Sequence, residues 1–219
     1  MSQHTGSESG QADRLSEQAA AALIAAGREF YRRGWVLGTS GNFSSRIADS
    51  PLQLLITASG LDKGSLDRTS FLEIDNQARV LRGDGRPSAE SALHLVIARQ
   101  QDAGAVLHTH SIWSTLRSTR GAAEGGLQIA GYEMLKGLAG ISTHEHREWV
   151  PILENSQEYD RLSAEVLSVL RQFPRCHGLL LRKHGLYTWG RDIAEARRHV
   201  EILEFLFEAE GRQQFATQS

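Results

Sequence analysis

Two histidines separated by one residue, His108-Thr109-His110, are the sharpest chemical signal in the chain. On a β-strand, side chains two positions apart share one face, so both imidazoles can converge on one ion about 2.0–2.1 Å from each nitrogen. A third ligand has to come from another segment. His184 is the candidate, because Arg182-Lys183-His184-Gly185 lies between two strand-like runs and a turn there can present a side chain at the end of a sheet. Three neutral histidines with an open position describe a catalytic rather than a structural zinc site, and they leave the ion its full charge for Lewis-acid work. The spacing alone is also met where one ring of the pair merely faces solvent. His144-Glu145-His146 has it within a polar, charged stretch, and there the solvated reading is the better one. His4 falls in the polar N-terminal stretch, and His94, His177 and His199 follow no ligand pattern and read as structural or surface residues.

Three turn-like segments upstream could bind an anion. Gly38-Thr39-Ser40-Gly41-Asn42 follows a helical pattern and enters a strand, and such a glycine-rich turn can aim successive backbone N–H groups and a hydroxyl into one nest. Thr57-Ala58-Ser59-Gly60 offers similar chemistry at the end of the next strand, and Pro87-Ser88-Ala89-Glu90 opens a helix whose first amides are free. None is a Walker A or dinucleotide fingerprint, and each alone is what an ordinary turn would show. Their joint occurrence ahead of the histidine pair is what points to phosphate.

These residues need a scaffold. The stretch to about Arg14 has almost nothing to bury and reads as a flexible tail over 1–14, with the folded domain occupying 15–212. The spacing predicts a helix over 15–33 closed by Gly34, hairpin strands at 42–47 and 52–57, and a second pair at 71–75 and 78–82. A helix opening at Pro87-Ser88 and running to about Gln101 follows, then a buried strand over 105–110. The glycine-rich 121–140 gives only a short helix around 133–138. Beyond it come a helix over 158–172, strands at 178–182 and 186–189, and a long amphipathic helix carrying Ile193, Ala196, Val200, Leu203 and Phe207. Strands and helices so interspersed, with many short β pairs, define an α/β class with a mixed, mainly antiparallel sheet.

Composition excludes other functions. The 219 residues carry 24 Lys+Arg against 26 Asp+Glu, so there is no electrostatic footprint for nucleic acid or an anionic membrane. No apolar run approaches the roughly 18 residues of a transmembrane helix, the first residues lack a secretory signal, and the single Cys176 cannot form an internal disulfide. A cytoplasmic location is expected.

In their order, Gly38-Thr39-Ser40-Gly41-Asn42-Phe43-Ser44-Ser45-Arg46, Thr57-Ala58-Ser59-Gly60, Pro87-Ser88-Ala89-Glu90, His108-Thr109-His110 and Lys183-His184-Gly185 resemble the class II, zinc-dependent sugar-phosphate aldolases and their relatives over about residues 15–207. Gly131-Tyr132-Glu133-Met134-Leu135-Lys136-Gly137-Leu138 and Val150-Pro151-Ile152-Leu153-Glu154-Asn155 are similar to the methylthioribulose-1-phosphate dehydratase branch of that superfamily, which acts in methionine salvage. The resemblance implies an α/β/α layered domain, a homotetramer with active sites near subunit boundaries, and one Zn2+ per subunit on His108, His110 and His184. It also implies a phosphate pocket at Thr39, Gly41, Asn42, Ser59, Gly60 and Ser88. Aldolases often carry paired serines before the motif glutamate; here Ala89 follows Ser88, and Lys63 or Lys136 could compensate.

For a ketose 1-phosphate, the dehydration so implied removes a C3 proton and the C4 hydroxyl, which requires a carboxylate to move protons. Glu133, in the dehydratase-like segment, is the expected principal acid/base, with Glu90 beside the metal as substrate orienter or second base. On the residues alone, Glu90 would equally serve as a helix-start carboxylate and Glu133 as a solvated helix residue. Two other readings share these features: an aldolase or epimerase acting on a ketose phosphate, and a binding scaffold that has lost its metal. The presence of all three histidines argues against the second. The methylthio group would require an apolar slot, near Trp113, Leu138 or a neighbouring chain.

Overall fold

The computed structural model describes residues 5–216, with side chains over 13–214. Five helices and nine strands alternate along the chain: α1 (Thr5–Arg32), β1 (Asn42–Asp49), β2 (Leu52–Thr57), β3 (Phe71–Ile74), β4 (Val80–Arg82), α2 (Ser91–Gln100), β5 (Ala105–Thr109), α3 (Ile112–Arg120), β6 (Gly126–Ala130), β7 (Arg147–Leu153), α4 (Tyr159–Gln172), β8 (Gly178–Leu181), β9 (Gly185–Gly190) and α5 (Ile193–Ala216). Short 3₁₀ turns occupy Arg68–Ser70 and Glu133–Gly137. The strands form one sheet in the order β4-β3-β2-β1-β5-β9-β8-β7-β6. Every pairing is antiparallel except β7 with β8, so the mixed, mainly antiparallel sheet expected from the sequence is observed.

Strand alternation splits the core into layers. Leu54, Ile56, Val106, Leu179, Leu181, Tyr187 and Trp189 leave one face and bury Leu93 and Ile97 of α2 and Leu162, Val166 and Leu170 of α4. Phe43, Leu55 and Leu107 leave the other face, against Leu23 and Phe30 of α1 and Val200 of α5. Toward β6, Leu127, Ile129, Leu180 and Leu186 continue that layer under Leu203 and Phe207. Because the period is two, His108 and His110 share the face of Val106, on the α2–α4 side, at the end of β5.

Two helix starts differ from the sequence reading, and three elements are absent from it. Helix α1 starts at Thr5, whereas the expected tail extended to 14; the polar residues before Leu15 supply no apolar stripe from which a helix is read. Residues 1–4, with His4, lie outside the described residues. Helix α2 starts at Ser91 rather than at Pro87-Ser88, which places Glu90 at the N-cap with its side chain free of capping duty. Helix α3 was not anticipated, because it turns Ser114, Arg117 and Ser118 inward instead of an apolar face. Strands β6 and β7 also escaped notice: one lies in a glycine-rich stretch, and the other contains Pro151, which pairs opposite Gly126.

Candidate metal centre and phosphate cleft

The end of β5 and the turn between β8 and β9 bring three imidazoles together. The Nε2 atoms of His108 and His110 are 2.8 Å apart, those of His110 and His184 3.1 Å, and those of His108 and His184 3.2 Å. A tetrahedral zinc with Zn–N of 2.0–2.1 Å would space its nitrogens by about 3.3 Å, so the triangle is of the right size. The tautomers suit it as well. His108 Nδ1 lies 2.9 Å from the Leu186 carbonyl, which can only accept, so Nδ1 carries the proton and Nε2 presents a lone pair. His184 Nδ1 faces Asn155 Oδ1 at 3.2 Å in the same sense. Converging lone pairs repel one another unless a cation lies among them, and the oxygens behind the rings are the usual outer partners of metal-bound histidine. Burial, followed by repulsion from its neighbours, lowers His110 to about 4 and His108 well below the ordinary histidine value, so both are neutral at pH 7.

Close packing fixes the three rings. His108 stacks on Tyr187 of β9 with ring centroids 3.9 Å apart and planes 10° from parallel. A Cβ on Gly41 would lie 2.6 Å from the His108 carbonyl oxygen, and Gly41 has φ of +73°, so only glycine lets this loop run against β5. A Cβ on Gly185 would lie 2.0 Å from the Thr109 oxygen, which brings the His184 turn directly against β5. Helix α3 holds that turn: the Lys183 N–H donates to Ser118 Oγ at 2.9 Å, and Thr115 Oγ1 donates to the His184 carbonyl at 3.3 Å. On the opposite side, buried Glu204 of α5 accepts from Thr109 Oγ1 at 3.0 Å and from Ser111 Oγ, bracketing His110. Burial pushes the Glu204 carboxyl up to about 7.

Glu90 completes the centre. Its Oε1 lies 3.2 Å from His184 Nε2 and 3.9 Å from His108 Nε2. Burial alone would raise its carboxyl, but positive charge at the His184 and His108 positions, which a bound cation would supply when the rings are neutral, and a bond from Asn42 hold it below the usual range, so Glu90 is a carboxylate at neutral pH.

The centre opens into a cleft of about 510 Å³ lined by all three anticipated loops, among them Thr39, Gly41, Asn42, Ser59, Gly60 and Ser88. The Asn42 amide is engaged with Glu90 and His94 rather than turned to an anion. The structure distinguishes between the two lysines. Lys63 is 1% exposed, lines the cleft, and donates to the carbonyls of Thr39 (3.1 Å) and Leu61 (2.6 Å). Burial lowers its ammonium to about 8. Lys136 instead pairs with Glu133.

Glu133 is not brought to this centre within the chain. It lies exposed on the Glu133–Gly137 turn, bonded to Lys136 and 3.7 Å from His144 Nδ1, away from the side chains that line the cleft. Three other histidines have structural partners. His146 Nε2 is 2.7 Å from buried Glu148, His177 shares that carboxylate, and His199 bonds the Trp189 and Ala139 backbone. Asn155, Gln157 and Tyr159 line the cleft without having been singled out, since a polar residue before a helix carries no distinctive pattern.

A layered α/β fold with a histidine triad, a flanking carboxylate and a hydroxyl-lined cleft defines a metal-assisted enzyme of phosphorylated small molecules. The chain belongs to the class II aldolase and adducin N-terminal domain family, whose model matches residues 21–210. It is 46% identical over 198 residues to the methylthioribulose-1-phosphate dehydratase of Methylococcus capsulatus, covering 90% of this chain and 94% of that one. It is 45% identical to that of Serratia proteamaculans, covering 86% and 92%, and 43% identical to that of Pseudomonas fluorescens, covering 89% and 92%. At such identity over nearly whole chains, it groups with the methylthioribulose-1-phosphate dehydratases. Among solved structures, L-fuculose-1-phosphate aldolase from Thermus thermophilus shares the fold, with a TM-score of 0.75 at 23% identity over 93% of this chain and 99% of that one.

Proposed function

We propose that this protein converts 5-methylthioribulose 1-phosphate into 2,3-diketo-5-methylthiopentyl 1-phosphate and water, as a zinc-dependent lyase of methionine salvage in the cytoplasm. The observation that carries the reading is the triangle of Nε2 atoms beside Glu90 at the mouth of a hydroxyl-lined cleft. Zinc on His108, His110 and His184 would supply Lewis-acid stabilisation of the negative charge that develops when C3 loses its proton. Thr39, Gly41, Ser59, Gly60 and Ser88 hold the phosphate, with Asn42 on the same loop oriented toward Glu90.

Glu90, already ionised, orients the substrate beside the metal. Glu133 takes the C3 proton and returns a proton to the departing C4 hydroxyl, so that water leaves; the resulting C3 enol then moves its hydroxyl proton to C4 to give the diketone. Because Glu133 is exposed outside the cleft of its own chain, it serves a second copy. Ile112 and Leu116 of α3, and Met134 beside Glu133, are exposed apolar residues that such assembly would cover, in keeping with a homotetramer whose sites lie at subunit boundaries. Among the described residues no helix is long and apolar enough to cross a membrane. Cys176 is buried with its thiol pushed up to about 12, which suits a reducing compartment in which it stays unreactive.

Mass spectrometry of products from the zinc-loaded protein and 5-methylthioribulose 1-phosphate tests the reaction. Loss of one water is expected; cleavage into an aldehyde and a triose phosphate would move the protein to the aldolases. Lys63 adds a pH signature. Burial lowers its folded pKa to about 8, so it is cationic below that pH and neutral above it, while a phosphate ester becomes a dianion above about pH 6. KM should therefore be lowest between these values and climb at higher pH, approaching about tenfold per unit. Lys63→Met should raise KM at pH 7 and remove the alkaline climb. A wild-type KM that stays flat well above pH 8 would show that Lys63 does not hold the phosphate.

A further inference from the structure

Behind the centre, a buried chain of hydrogen bonds runs away from Glu90 through residues that neither the metal nor the phosphate uses. Asn42 Nδ2 donates to Glu90 Oε2, His94 Nε2 bonds Asn42 Oδ1, and Ser44 Oγ lies 2.7 Å from His94 Nδ1. Ser44 and His94 are fully buried, and Asn42 is 5% exposed.

The alignment follows from two periodicities. Asn42 and Ser44 are two apart on β1, about 6.6 Å along the strand, and leave the same face. Glu90 and His94 are four apart at the start of α2, about 6 Å along its axis, and also share a face. Strand and helix therefore present matched pairs. β1 in turn pairs Asn42 with His108, which ties this ladder to the strand that carries the ligands.

The polarity of the chain is determined. The Glu90 carboxylate can only accept, so Asn42 must offer it the NH₂ end and turn Oδ1 toward His94. Oδ1 in turn requires a proton on His94 Nε2, and the neutral ring then accepts from the Ser44 hydroxyl at Nδ1. Burial keeps His94 neutral by lowering it to about 4. Without the ring donor, Asn42 could rotate and set its carbonyl oxygen against the carboxylate, displacing Glu90 from the metal.

We propose that His94, oriented by Ser44, is a positioning residue that locks the Asn42 amide so that Glu90 faces the metal centre. The activity half of this inference rests on the dehydratase reading; the tautomer half does not. Long-range ¹H–¹⁵N correlation on histidine-labelled protein should find His94 as the neutral Nε2–H form without any substrate, and Ser44→Ala should add a population protonated at Nδ1. His94→Phe preserves the ring shape but lacks the donor. It should lower kcat about 10–100-fold, the range for losing an outer-shell partner, with KM within about twofold and zinc content unchanged. His94→Gln, whose amide NH₂ reaches the position of ring Nε2, should recover most of the rate.

A wild-type ring protonated at Nδ1 would overturn the proposal directly. So would a His94→Phe enzyme of normal kcat, or Phe and Gln variants equally impaired with loss of metal, which would mark His94 as merely structural. If the wild type fails to dehydrate the substrate while His94 keeps the Nε2–H form, the dehydratase reading falls and the relay stands.

Discussion

His110→Ala is expected to fold normally, to lose its zinc, and to retain less than about one thousandth of wild-type activity, beyond the 10–100-fold that loss of an outer-shell partner brings. His110 is one of only three nitrogens in the triangle, and its ring faces the other two. Two imidazoles cannot hold the ion in a defined orientation, and a displaced ion cannot meet the charge that develops as C3 is deprotonated. Metal content by elemental analysis and turnover on the same sample decide the matter; full activity with one zinc per chain would exclude His110 as a ligand.

The metal-free variant should also show altered acid sensitivity. His110 in the folded state is lowered to about 4, against about 6.5 when unfolded, so between these values the unfolded chain binds a proton that the folded chain refuses. Wild-type stability therefore falls as pH drops from 6.5 toward 4. The alanine variant lacks that contribution, and its thermal unfolding temperature should fall less over the same window.

Glu133→Gln should lower kcat by about 10²–10⁴-fold, the usual range for general acid–base catalysis, while leaving zinc in place. Its informative property is complementation. If each centre combines the histidines of one chain with Glu133 of a neighbour, then neither inactive variant is defective in both parts. Unfolding and reassembling equal amounts of His110→Ala and Glu133→Gln should restore up to about a quarter of wild-type activity, since half the chains keep the triad and half of their neighbours in a closed ring keep the carboxylate. Mixtures no more active than the separate variants would mean that Glu133 does not act across a boundary. A Glu133→Gln enzyme with near-normal turnover would transfer the acid/base role to Glu90.

Much of the centre was legible in the sequence because its elements are local. His108 and His110 share a face through the period of a strand, and the three glycine and hydroxyl turns can each be read within four or five residues. Lys63 and His94 were not so legible. A lone lysine in a loop and a lone histidine in a helix resemble surface or core residues until the partners supplied by distant strands are seen. Helix α3 was hidden for a related reason, since it packs hydroxyls and Arg117 where the helical period would call for apolar residues.

By itself the sequence pointed to the chemistry available to this protein, with three histidines able to converge on an ion and turns able to bind an anion, and it gave the mainly antiparallel α/β class; these readings follow from residue type, short spacing and the order of the elements. Only the tertiary structure shows which carboxylate and which lysine a chain carries into its own cleft. Sheet order sets β1 and β9 on either side of β5, and α2 starts beside the edge where β5 ends and β1 and β9 begin. Glu90 and Lys63 are thereby carried into the cleft, while Glu133 and Lys136 are left on a surface turn. Such a choice depends on contacts between residues up to a hundred positions apart, which no local periodicity encodes.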